Sequence, residues 1–243
     1  MSIALEIKKT KRTGFWPAFA AGGILAAAVP IVNMAVRSDQ FTGTGGNPLN
    51  ILIQSNWQMM AMLHMFLMTI GACLLYHTEY ADNAMQKMEM LPMSIFKSHI
   101  FKALILVLAG TGILLLETAA FIFCTYRWFE VPEGFWLQLL KNMGFSAAAI
   151  LPVIFTVSVT AYICRNMWTS LGACVICIFV VSVIPQMSSP DSAFALFPFA
   201  LPYQSFVSLN AEQIRYFLCA AVAETILAAF VQGVFLRIRR AAA

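Results

Sequence analysis

The chain has 243 residues, 60% of them hydrophobic and only 11% charged, and a mean hydropathy of +0.79. That composition excludes a water-soluble globular domain and places the chain among polytopic all-α membrane proteins. The formal net charge of +4 is too small to imply nucleic acid. The basic residues lie beside the apolar runs, where anionic lipid attracts them.

In chain order, the first segment, MSIALEIKKTKR, lacks the compact apolar run and small-residue cleavage site of a secretory signal, so it is expected to be retained. It reads as an amphipathic interfacial helix over 2–13, with Ile3, Leu5 and Ile7 at the lipid boundary and Lys8, Lys9, Lys11 and Arg12 among headgroups. Runs of about 20 apolar residues, the length that crosses a bilayer, then give six candidate spans. They are 15–36, 55–76, 101–124, 137–164, 167–187 and 215–236, forming one membrane domain over 1–243. Small residues such as Ala18 with Gly22, and Gly110 beside Gly112, are placed to allow close helix packing.

Three connections carry information. Between the first two spans, SDQFTGTGGNPLNILIQSN is rich in Gly, Asn and Pro and reads as a loop. Between the second and third, Ala81, Ala84, Met85, Met88 and Leu91 share one face of a short amphipathic helix while Asp82, Gln86 and Glu89 share the other. Pro92 stops that helix, and Ser94 is a suitable N-cap for the next. The Met-rich face suits adaptable packing against another protein. Between the fifth and sixth spans, 184–210 is too apolar and too interrupted by Pro for a solvated loop, so a re-entrant element, or a cap lying on the headgroups, is expected there.

The cations orient the chain. Lys8, Lys9, Lys11 and Arg12 precede the first span; Lys87, Lys97 and Lys102 separate the second from the third; Arg165 separates the fourth from the fifth; Arg237, Arg239 and Arg240 follow the sixth. By the positive-inside rule those segments, and both termini, face the cytoplasm.

Catalytic patterns are missing. There is no HExxH, GxSxG or GxxxxGK[ST], and the GTGG at 43–46 has no following Lys. Cys174 and Cys177 have CxxC spacing inside an apolar helix without nearby ligands and read as packing residues. Cys124 and Cys219, near the outer ends of their spans, are a candidate bridge.

Three ionisable groups remain within the spans: His64, Glu117 and Glu224, all placed about two to three turns from the outer end. An intramembrane carboxylate is costly unless protonated, paired or wetted. The three therefore read either as an acidic lining of a path for a cationic amphiphile, or as protonated Glu side chains bonded between helices with His64 on a carbonyl.

With those residues in view, the chain resembles the membrane subunits of ABC-2 type ABC transporters. The basic helix before the first span (LEIKKTKRTGFW), the acidic residue Glu79, the short helix ending at Leu91-Pro92 with Lys97 or Lys102 beyond it, and the element at 184–210 all have counterparts in that family. The family's frequent Gly after the acidic residue and Arg after the Pro are replaced here by Asn83-Ala84 and Ser94-Ile95-Phe96. The resemblance implies a coupling helix whose docking residues are Glu79, Ala81, Ala84, Met85, Met88, Leu91, Pro92 and Lys97. It also implies a separate dimeric ABC ATPase that carries the ATP and Mg, so that this chain needs no cofactor and catalyses nothing itself. A second permease, identical or related, would complete the pathway. Within the family the short chain looks most like lantibiotic-immunity permeases of the bacterial plasma membrane, which export cationic antimicrobial peptides. The alternatives are a proton-coupled secondary transporter and an intramembrane enzyme.

Overall fold

The computed structural model describes residues 3–11, 13–43, 45–80, 95–164, 166–183 and 196–241. They form α1 (Ile3–Thr10), α2 (Phe15–Thr42), α3 (Pro48–Tyr80), α4 (Ile95–Trp128), α5 (Phe135–Ile163), α6 (Met167–Val183) and α7 (Ala211–Ala241), with 3-10 turns at Leu201–Tyr203 and Phe206–Ser208. Five helices, α2, α3, α4, α5 and α7, are long and apolar enough to cross a membrane; α6 is equally apolar but has 17 described residues.

Several helix starts are marked by local chemistry. Gly14 and Gly134 stand before α2 and α5 with φ of 75° and 77°, turning the chain into each helix. Asn166 caps α6 through Oδ1, which accepts from Trp168 N–H at 2.9 Å. At α7, Gln213 Oε1 reaches back to Asn210 N–H at 3.1 Å, one half of a capping box.

The first connection differs from expectation. Beyond a break in helical geometry at Arg37, helix continues to Thr42 and resumes at Pro48, so the loop shrinks to the few residues between them. Pro48 sits at the first helical position, where its missing N–H costs nothing. Asn47 Oδ1 accepts from Leu49 N–H at 3.0 Å, and the positive φ of Gly45 and Gly46 closes the turn. The Gly, Asn and Pro that look like a loop are thus a helix stop and a helix start. For α3, α4 and α7 as well, polar residues extend the apolar runs by whole turns.

Helix α3 lies at the centre, packed on α2, α4, α5 and α6, and two-thirds of its spanning window (67%) is buried; α7, at 17%, leans mainly on α5. Gly22 explains how close α2 and α3 come, because a Cβ there would strike the Leu67 side chain. Gly110 likewise lies against Met68 Sδ and His64 Nε2, whereas Gly112 faces open space and takes no part in packing. All six cysteines are free; Cys124 is buried and Cys219 exposed, and they form no bridge.

The helices alternate in direction. At one end Asn47 Nδ2 donates to Gln138 Oε1 at 2.8 Å, tying the α2–α3 turn to the start of α5. There too Trp57 Nε1 donates to Pro202 O at 2.9 Å. Phe199, Ala200, Leu201 and Pro202 are buried against the helices, so protein shields this non-helical backbone. Residues 184–195 of the expected re-entrant element lie outside the described residues. α6 runs antiparallel to α3, Ser170 beside Cys73 and Ser182 beside Gln58.

Candidate functional site

The opposite end holds the greatest concentration of buried charge. Lys102, 1% exposed, pairs with Glu79 Oε2. Glu79 Oε1 pairs with Lys9 at 3.2 Å, and Lys9 reaches Glu6 at 3.1 Å. Glu6 also accepts from Ser98 Oγ at 3.2 Å. Two carboxylates and two ammonium groups from α1, α3 and α4 therefore form one neutral cluster, the arrangement that burial of charge demands.

The cluster continues into aromatic and polar neighbours. Lys102 Nζ stands 4.4 Å from the centre of the Tyr76 ring, a cation–π contact. Tyr76 OH meets His99 Nδ1 at 2.7 Å and accepts from Gln232 Nε2 at 3.2 Å, which brings in α7. His99 packs edge-on to Tyr162 of α5, whose carbonyl accepts from Tyr80 OH. The ends of α1, α3, α4, α5 and α7 are thus joined through one network, whose position is fixed by the last turn of α3 and the first turns of α4.

This arrangement changes the reading of the basic residues. Lys9 is expected among headgroups but stands between two carboxylates, and Ile7 packs against the helix core rather than lipid alone. α1 is docked onto the bundle. Trp16 Nε1 fastens it further by donating to Thr10 Oγ1 at 2.8 Å. Of the expected docking residues, Glu79 is buried within the cluster and Lys97 is exposed; Ala81, Ala84, Met85, Met88, Leu91 and Pro92 lie outside the described residues.

In the sequence Lys102 reads as a topology marker and, with Lys97, as the basic residue beyond the Pro92 turn. Its signal was its place: a lone cation entering the apolar run FKALILV, which needs a carboxylate partner if that face is buried. Glu6, the single acid amid MSIALEIKKTKR, carried the converse signal.

The structure brings together two of the three intramembrane residues. His64 Nδ1 and Glu117 Oε2 lie 3.7 Å apart, both buried between α3 and α4. That is an ion-pair separation rather than a hydrogen bond. The neighbour of His64 Nδ1 is a carboxylate, not the carbonyl considered from sequence. Among the described residues, His64 Nε2 and Glu117 Oε1 are buried with no hydrogen-bond partner, as is Oε2 of Glu224 on α7. Counted from the helix end rather than from the apolar run, His64 is 16 residues from the start of α3, about 24 Å at the α-helical rise.

The fold defines a multi-pass membrane protein whose buried polar groups lie inside the bundle and at one end of it. The family described as "ABC-2 family transporter protein" matches residues 2–182. The chain belongs to that family, and is therefore a membrane component of transport; the family implies an ABC transporter with an ATPase partner. No curated protein and no solved structure matches it.

Proposed function

We propose that this chain is one permease half of a bacterial ABC exporter, crossing the plasma membrane six times with both termini in the cytoplasm. A dimeric ATPase docks on the segment from Glu79 to Lys97, binding and hydrolysing ATP with Mg, and a second permease, identical or related, completes the path. The cargo is an amphipathic cationic peptide of the lantibiotic type, moved outward from the membrane for self-protection.

The observation that supports this most is the buried charge cluster. In the sequence Glu79 precedes segment 81–94 and Lys102 follows it, and these two residues are paired. A push on the segment by a closing ATPase would act on both anchors at once, and through Tyr76, His99 and Gln232 on the ends of α4, α5 and α7. Packed elements of this kind shift as units rather than deform continuously, which suits a transporter switching between two states. The buried His64–Glu117 pair and Glu224 supply acidic groups for a cationic cargo.

Docking is tested by co-purifying a candidate ATPase with the chain before and after Met85, Met88 and Leu91 are changed to Asp. Retained binding would remove the docking assignment. For the path, Glu117→Gln combined with Glu224→Gln should lower peptide resistance without lowering membrane assembly; full resistance would leave those carboxylates a structural role only. The His64–Glu117 pair also suits proton coupling. Transport that survives ATP depletion but stops when the proton gradient is collapsed would favour that reading.

A further inference from the structure

A cavity of about 510 Å³ opens on the side of the bundle between α2 and α3, within the ~300–1,000 Å³ range of small-ligand sites. It lies apart from both sites above, and its lining changes character along its length. On α2, Leu25, Val29, Asn33 and Arg37 all line it at intervals of four residues, so they form one stripe running from apolar to cationic. From α3, Met59 sits towards the apolar part, and Ser55 and Asn56 towards the polar part.

We propose that this groove binds one acyl chain of an anionic phospholipid, with the lipid phosphate at Arg37. Length fits: the twelve helical steps from Leu25 to Arg37 span about 18 Å at the helical rise, close to the ~15 Å hydrocarbon thickness of one leaflet. The polar order fits as well. Asn33 Nδ2 donates to Asn56 Oδ1 at 2.8 Å, which leaves its second N–H for an ester carbonyl one turn below the phosphate. Arg37 is exposed and makes no ion pair among the described residues; the nearby carboxylate of Asp39 accepts from Ser38 Oγ at 3.3 Å. A guanidinium pairs with a lipid phosphate through two parallel N–H donors, and it favours an anionic lipid because no choline ammonium is there to offset the phosphate charge and repel the cation. The helix departs from α geometry at Arg37 itself, with φ −129° and ψ 28°, so the cation sits at a break where α2 leaves its axis. Val32 and Val36 are more than half exposed along the same groove, as an entry open to lipid requires.

This assignment needs only that the chain spans a membrane, and is independent of the ATPase and cargo proposed above. The experiment is native mass spectrometry of the full-length chain titrated with phosphatidylglycerol or with phosphatidylcholine carrying the same acyl chains. Phosphatidylglycerol should bind about tenfold more tightly, the scale of one charge-assisted pair. Arg37→Gln should bring it down to the phosphatidylcholine level, and Arg37→Lys should keep an intermediate preference. Ala28→Trp, and independently Val32→Trp, should fill the groove and remove the bound lipid, with unfolding temperature confirming that each variant is folded. Equal binding of both lipids with no effect of Arg37→Gln would overturn the phosphate contact. Undiminished lipid in both folded tryptophan variants would overturn the groove. If those variants instead dissociated a dimer while lipid binding persisted, the groove would belong to a second copy of this chain.

Discussion

Glu79→Gln is the sharpest perturbation of the charge cluster. It leaves Lys102, 1% exposed, without its paired carboxylate, facing the Tyr76 ring and a neutral amide, with the Glu6 carboxylate of the cluster further off. Stripping one partner from a buried pair costs about 3–5 kcal/mol, which a cation–π contact of about 1–2 kcal/mol already in place does not offset. Lys102→Met is the milder change, because Glu79 keeps Lys9, whose side chain is 33% exposed; its cost lies at the low end of that ~3–5 kcal/mol range. With both residues neutral, the double variant should fall within about 1 kcal/mol of the parent, since exchanging a whole buried pair is often close to neutral. The measurement is equilibrium unfolding in mixed micelles, followed by the fluorescence of the five tryptophans. Lys97→Met, at an exposed position five residues away, serves as the control and should change stability by less than about 0.5 kcal/mol. Single variants costing under ~1 kcal/mol, or costs that simply add in the double variant to within ~0.5 kcal/mol, would refute the reasoning.

Two further outcomes follow from packing and capping. Gly22→Ala should destabilise the bundle by about 1–3 kcal/mol through collision with Leu67, while Gly112→Ala, which meets nothing, should be neutral or stabilising by up to ~1 kcal/mol; thermal unfolding separates them. Asn47→Ala should cost about 1–2 kcal/mol from loss of the α3 cap alone. Hydrogen exchange should then quicken in the first turn of α3 and, through the lost bond to Gln138, at the start of α5.

The apolar runs were legible because backbone polar groups in lipid must be satisfied within the segment, which leaves a helix as the only answer for a run of that length. Helix ends were less legible. Pro48 and Asn47 have the same composition whether they make a loop or a helix start, and only the Asn47 cap and the contact with Gln138 distinguish the two. The helices that carry His64 and Glu117 run beyond their apolar windows, so the distance of either residue from a helix end is not set by hydropathy alone. Their nearness to one another followed from shared depth. That His64 Nδ1 faces the carboxylate depended on the approach of α3 to α4 at Gly110.

By itself the sequence determined the class of protein, the apolar helices and the distribution of cations at their ends, because each is set by local composition against a bilayer. Only the tertiary structure decided which charges meet. Glu6, Lys9, Glu79 and Lys102 are scattered over nearly a hundred positions, and nothing in the periodicity of α1, α3 or α4 relates one to another. Burial made them a single cluster: where three helix ends converge away from water, an unpaired ammonium or carboxylate is too costly to keep, and the packing that survives brings each one to its opposite.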